Sequence, residues 1–103
     1  MVIRIAEPGR RAFQLRKGEE GISVFDLEAV EPPLTENEVL GSFRTSSVSV
    51  CRSRKEIEEK GLQIVQIPGG EMLPQRLREA HAEIRPGPAM SRAEFKNALR
   101  ELE

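Results

Sequence analysis

The chain holds 103 residues with a formal net charge of −1, 32% charged residues of mixed sign, one cysteine and neither Trp nor Tyr. That length predicts one domain spanning residues 1–103 around a modest core. The near-zero charge argues against a broad nucleic-acid-binding surface, and a lone thiol excludes an internal disulfide framework and points to a reducing cytoplasm.

No apolar run reaches the roughly 18 residues of a membrane helix. The first residues carry no basic segment followed by an apolar stretch, so neither a membrane span nor a secretory leader is expected. From the N-terminus, VIRI (Val2 to Ile5) is a short apolar strand stopped by Pro8-Gly9. AFQLR (Ala12 to Arg16) alternates Phe13 and Leu15 against Gln14 and Arg16, and ISVFDL (Ile22 to Leu27) is rich in β-formers. The glycine-containing segment Lys17 to Gly21 between them fits a hairpin loop. Pro32-Pro33 closes this extended region. Thr35 followed by Glu38 has the spacing of a capping box, so a short helix is expected through Val39 and Leu40.

RTSSVSVC (Arg44 to Cys51) alternates again, with Val48 and Val50 on one side and Ser47, Ser49 and Cys51 on the other. Ser53 with Glu56 predicts a second helix start, and Gly61 its end. LQIVQI (Leu62 to Ile67) is apolar on both faces, which predicts a central strand. After the turn Pro68-Gly69-Gly70, Pro74 suits a first helical turn. Leu73, Leu77, Ala80 and Ile84 then form one stripe at helical spacing. RPGP (Arg85 to Pro88) breaks that helix, and Ser91 with Glu94 opens the last one, lined by Phe95, Ala98, Leu99 and Leu102. Strand-rich and then helix-rich, the order predicts an α+β fold: a small mixed or antiparallel sheet with two C-terminal helices packed on it.

Few residues carry chemistry. Ser23 sits in an apolar strand, where a buried unpartnered hydroxyl costs on the order of 1–3 kcal/mol. It is either bonded or exposed near a sheet end, or it faces a cleft where Gly21 allows a ligand close to the backbone. His81, the only histidine, borders the Leu73–Ile84 stripe as a half-buried packing residue or as a hydrogen-bonding group in a pocket. Arg16 is either a surface cation or a planar fork for a pyrophosphate. Arg10, Arg11, Arg16 and Lys17 read as a solvated face offset by nearby acids. One His and one Cys make no metal-ligand set, so no metal is expected. A Cys51 nucleophile would need His81 beside it as base. GEEG (Gly18 to Gly21) has neither a dinucleotide fingerprint nor a P-loop pattern, and its glutamates repel phosphate.

GISVFD (Gly21 to Asp26) resembles a Gly-x-Ser-Val-Phe-Asp strand motif. IPGG (Ile67 to Gly70), LPQRL, HAEIRPGPAM (His81 to Met90) and FKNAL resemble a tail with a His-x-x-Ile-x-Pro-x-x-Pro-Met signature. His81, Ile84, Pro86 and Met90 fit that spacing; Pro88 stands one place early. Together, in that order, these stretches resemble ADP-ribosyltransferase-like toxins delivered by type VI secretion.

The resemblance implies an ADP-ribosyltransferase-like α+β fold with NAD bound in a cleft as substrate, and a bacterial toxin held in check by an antitoxin or immunity protein. By motif, Ser23 is the hydroxyl of the pocket strand and His81 the signature histidine, the two residues assigned to catalysis. Arg16, Gly21 and Phe25 are assigned to NAD, with Phe25 or Phe13 stacking on nicotinamide. The motifs fix no glutamate for transfer; Glu19, Glu20 and Glu83 are the available ones. The alternative is a non-catalytic interaction module, or toxin-system component, on the same scaffold.

Overall fold

The computed structural model describes residues 1–103. Its strands are β1 (Val2–Ala6), β2 (Ile22–Asp26), β3 (Val48–Arg52), β4 (Gln63–Gln66) and β5 (His81–Arg85). Its helices are α1 (Glu36–Leu40), α2 (Arg54–Glu59), α3 (Gln75–Ala80) and α4 (Arg92–Arg100), with a single 3-10 turn at Leu27–Ala29. The strands form one sheet in the order β3-β1-β2-β5-β4, antiparallel at every pairing. The fold is therefore α+β. No helix is long and apolar enough to cross a membrane.

Alternation along each strand gives the sheet two faces. Val2, Ile22, Val24, Ala82 and Ile84 form a core with Ile57 and Leu62 near α2 and with Phe95, Ala98, Leu99 and Leu102 near α4. Ala12, Phe13 and Leu15, from the segment joining β1 to β2, complete this core. On the opposite face Ile3 and Phe25 meet Val30, Leu34, Val39, Leu77 and Ala80. Registers Ile3↔Cys51, Ile3↔Phe25 and Phe25↔His81 put Cys51, Ile3, Phe25 and His81 in one row across that face. This second core covers the row. The next row holds Ser49 and Ile5 on one side, and Ser23, Glu83 and Val65 on the other.

Three expectations need correction. Ala12 to Arg16 forms no strand and no hairpin with β2. The alternation there reports burial alone, because the Ala12 and Phe13 amides donate to the Glu103 carboxylate at 2.8 Å each instead of to a ladder. Residues 62–67 supply an edge strand, β4, paired only with β5. The helix expected through Ile84 stops at Ala80, and β5 follows without a linking residue. Ala82 and Ile84 are both fully buried, between β2 and β4. A helix turns residues two apart to nearly opposite sides, so only the two-residue period of a strand buries both.

Candidate functional site

The site begins with an opening in the sheet. β1 stays paired with β3 through Ala6↔Val48, and β2 stays paired with β5 through Ile22↔Ile84. Between β1 and β2 the pairing covers only Val2↔Asp26 and Ile3↔Phe25. Beyond it the Arg4 side chain takes over the free backbone groups. Its Nη1 donates to the Ser23 carbonyl at 3.0 Å, and its Nε to the Ala12 carbonyl at 2.9 Å. Both partners are neutral, so the guanidinium charge is hydrogen-bonded without being cancelled. Burial lowers the Arg4 pKa from its ordinary value; Glu19 opposes that shift and Arg16 adds to it.

A cavity of about 220 Å³ lies at this opening, bounded by Arg4 and Ile5 of β1, Ser23 and Phe25 of β2, His81 of β5, and Phe43. The Ser23 side chain is exposed. The His81 Nδ1 lies 2.8 Å from the Ile67 carbonyl, which can only accept, so Nδ1 carries the proton. In the neutral ring, Nε2 is then the free acceptor. The Phe25 ring meets Phe43 edge-on at 5.8 Å and His81 at 5.5 Å, so His81 is held by an aromatic edge and a hydrogen bond. Phe25 is 4% exposed and walls the cavity from beneath; Phe43 is half-buried and has more ring surface to offer a ligand. Phe13 lies in the core of the other face, with Arg52 over its ring at 5.9 Å.

A second cavity, about 720 Å³, shares Arg4, Ile5 and Phe43 with the first. Arg4, Arg10, Arg11, Arg16 and Arg44 all line it. The structure thus brings Ser23, Phe25 and His81 together and places Arg16 on the neighbouring cavity. Arg16 follows no strand. Its backbone is held by the Glu19 carboxylate on its N–H at 2.7 Å and by Arg92 on its carbonyl at 2.9 Å. Gly21 lines neither cavity. A Cβ there would stand 2.9 Å from the Ile84 carbonyl oxygen, so the glycine admits β5 rather than an open space.

Among the available carboxylates, Glu83 stands opposite Ser23 on β5, and its Oε1 accepts from Arg85 Nε at 3.0 Å and Nη2 at 2.9 Å. Glu19 is committed to the Arg16 amide. Cys51 sits on the covered row, away from His81 at the far side of Ile3 and Phe25. Burial and Glu36 push its thiol pKa up, which keeps it protonated and poorly nucleophilic.

Arg4 and Phe43 are the cavity residues that sequence reading passed over. Arg4 had a signal: one charge inside the otherwise apolar VIRI strand. Phe43 had none, because its role depends on a loop folding back over β1 and β2. Comparison with protein-family models, curated proteins and solved structures finds no match to this chain.

Proposed function

We propose that this chain is an ADP-ribosyltransferase-like toxin domain that binds NAD at the opening between β1 and β2. The observation that supports it is the convergence of Ser23 and His81, one from each motif of the resemblance, on a cavity bordered by Arg4. Under this reading the nicotinamide ribose lies against Ser23 and His81. Phe43 supplies the ring surface and Arg4 faces the phosphates with charge left over from its carbonyl contacts. Bound NAD supplies a ribosyl carbon whose bond to nicotinamide breaks with the electron pair leaving on the ring nitrogen. The positive centre that develops favours a nearby carboxylate and few waters. Glu83 faces Ser23 in register and is the nearest of the three available carboxylates along the sheet, but it lines neither cavity and its Oε1 is paired with Arg85, so ligand binding would have to bring it to the ribose.

NAD in excess is expected to raise the melting temperature of the intact chain, as any ligand selective for the folded state does. Ser23→Ala should remove that shift and leave the ligand-free melting curve within about 0.5 kcal/mol of the original, since an exposed hydroxyl with no partner supports nothing in the fold. An unmoved melting curve under large NAD excess would end the reading.

A second reading, a non-catalytic module that docks an antitoxin or immunity protein, draws on the edge strand β3, where Val48 is 42% exposed. A growth-toxicity assay separates the two. Loss of toxicity in Ser23→Ala and His81→Ala at unchanged stability favours NAD chemistry; full toxicity favours docking.

A further inference from the structure

The larger cavity differs in character from the rest of the surface. The whole chain carries a formal charge of −1, yet five arginines line this hollow. Its single acid is Glu7, whose carboxylate meets Arg10 at 3.1 Å, so five positive charges against one negative leave an excess of four. Two acids outside the lining, Glu19 and Glu103, keep their negative charge while accepting from backbone amides, and both act on Arg4, so the surplus around the hollow is smaller than its lining alone gives. The arginines arrive from separate segments: Arg4 from β1, Arg10, Arg11 and Arg16 from the β1–β2 connection, and Arg44 from the approach to β3. Such convergence places like charges together, and an entering anion would relieve their mutual repulsion.

The residue type narrows the ligand. All five cations lining the cavity are arginine and none is lysine. A guanidinium offers a rigid planar fork that matches two phosphate oxygens at once, where an ammonium acts as a point charge. Ser46 and Ser47 add two hydroxyl donors to the wall. A single phosphate would leave most of the five forks unused. Three or more linked phosphates present oxygens to several guanidinium forks at once, and about 720 Å³ accommodates them.

We infer that the arginine-lined cavity is a binding site for a small oligophosphate of three or more linked phosphates, the chemistry of a nucleoside triphosphate tail or of free polyphosphate. The site stands beside the Ser23–His81 cavity and shares its Arg4 wall.

Calorimetric titration of the intact chain with sodium tripolyphosphate tests it. Saturable one-to-one binding is expected, weakening as salt rises, with orthophosphate at matched ionic strength binding more weakly. Arg11 and Arg44 are exposed, so the double variant Arg11→Ala/Arg44→Ala keeps the fold and should weaken binding by about tenfold or more. Ser23→Ala should bind tripolyphosphate unchanged, which separates this site from the NAD reading: a missing NAD response with intact tripolyphosphate binding counts against NAD alone. Adenosine triphosphate as a second titrant, tighter than tripolyphosphate, assigns the nucleotide as source; equal affinity assigns the free polyanion. Absence of saturation, equal binding by the double variant, or binding of a single-stranded oligonucleotide with tripolyphosphate silent overturns the inference.

Discussion

Ser23 is set among residues with structural duties. Val24 is fully buried in one core and Phe25 nearly so in the other. Asp26 accepts from the Glu28 amide at 3.1 Å and pairs with Arg54 at 2.6 Å. Gly21 lets the β5 backbone approach. The hydroxyl of Ser23 alone in this run is exposed without a protein partner, and Ser23 lines the smaller cavity. Gly21→Ala is expected to destabilise the fold by about 1–3 kcal/mol through overpacking. The new methyl group would meet the Ile84 carbonyl at 2.9 Å and Glu83 Oε1 at 3.0 Å. The urea midpoint should fall at constant m-value; an unchanged midpoint would show that β5 yields to the methyl group.

Among the elements, helix starts follow the sequence closely. Ser53 with Glu56 and Ser91 with Glu94 form complete capping boxes, each side chain bonded to the other's backbone N–H. The third pattern forms only half. Thr35 accepts from the Glu38 amide at 3.1 Å, but the Glu38 carboxylate turns to Arg76 at 3.6 Å on α3. Hydrogen bonds to the Ser91 backbone and side chain hold the Glu94 carboxyl below its usual value of 4.5. Because the folded value is depressed, the stabilisation is present above the unfolded pKa and is lost as pH falls through the folded one. The stability advantage of the wild type over Glu94→Ala should therefore be full at neutral pH and shrink on acidification below about 4.5, a comparison thermal melts across that range can make. An advantage constant down to acid pH would mean the carboxylate form contributes nothing.

For the whole molecule, the connection between β1 and β2 does the work of a missing strand. Its Phe13 and Leu15 complete one core, while Arg10, Arg11 and Arg16 line the larger cavity. Contacts distant in sequence hold it: Glu103 accepts both the Ala12 and Phe13 amides, and Arg52 lies over the Phe13 ring at 5.9 Å. Replacing Glu103 with Ala is expected to cost about 2–3 kcal/mol, in line with charge-assisted hydrogen bonds lost from a partly buried site. Amide exchange at Ala12 and Phe13 should rise well above that of β2. Protection unchanged at both amides would show that side-chain burial alone anchors the segment.

Signals carried by residues three or four apart, or by neighbours along a strand, were decided by the sequence itself: the helix starts at Ser53 and Ser91, strand β2 and the α+β class. Their bonds close locally, so the information lies within a few residues. Whether Ala82 and Ile84 continue a helix or enter a sheet, whether β4 lies at the edge, and which arginine borders Ser23 were decided by tertiary structure. Each depends on a partner strand or loop far along the chain, whose hydrogen bonds and buried surface outweigh local preference.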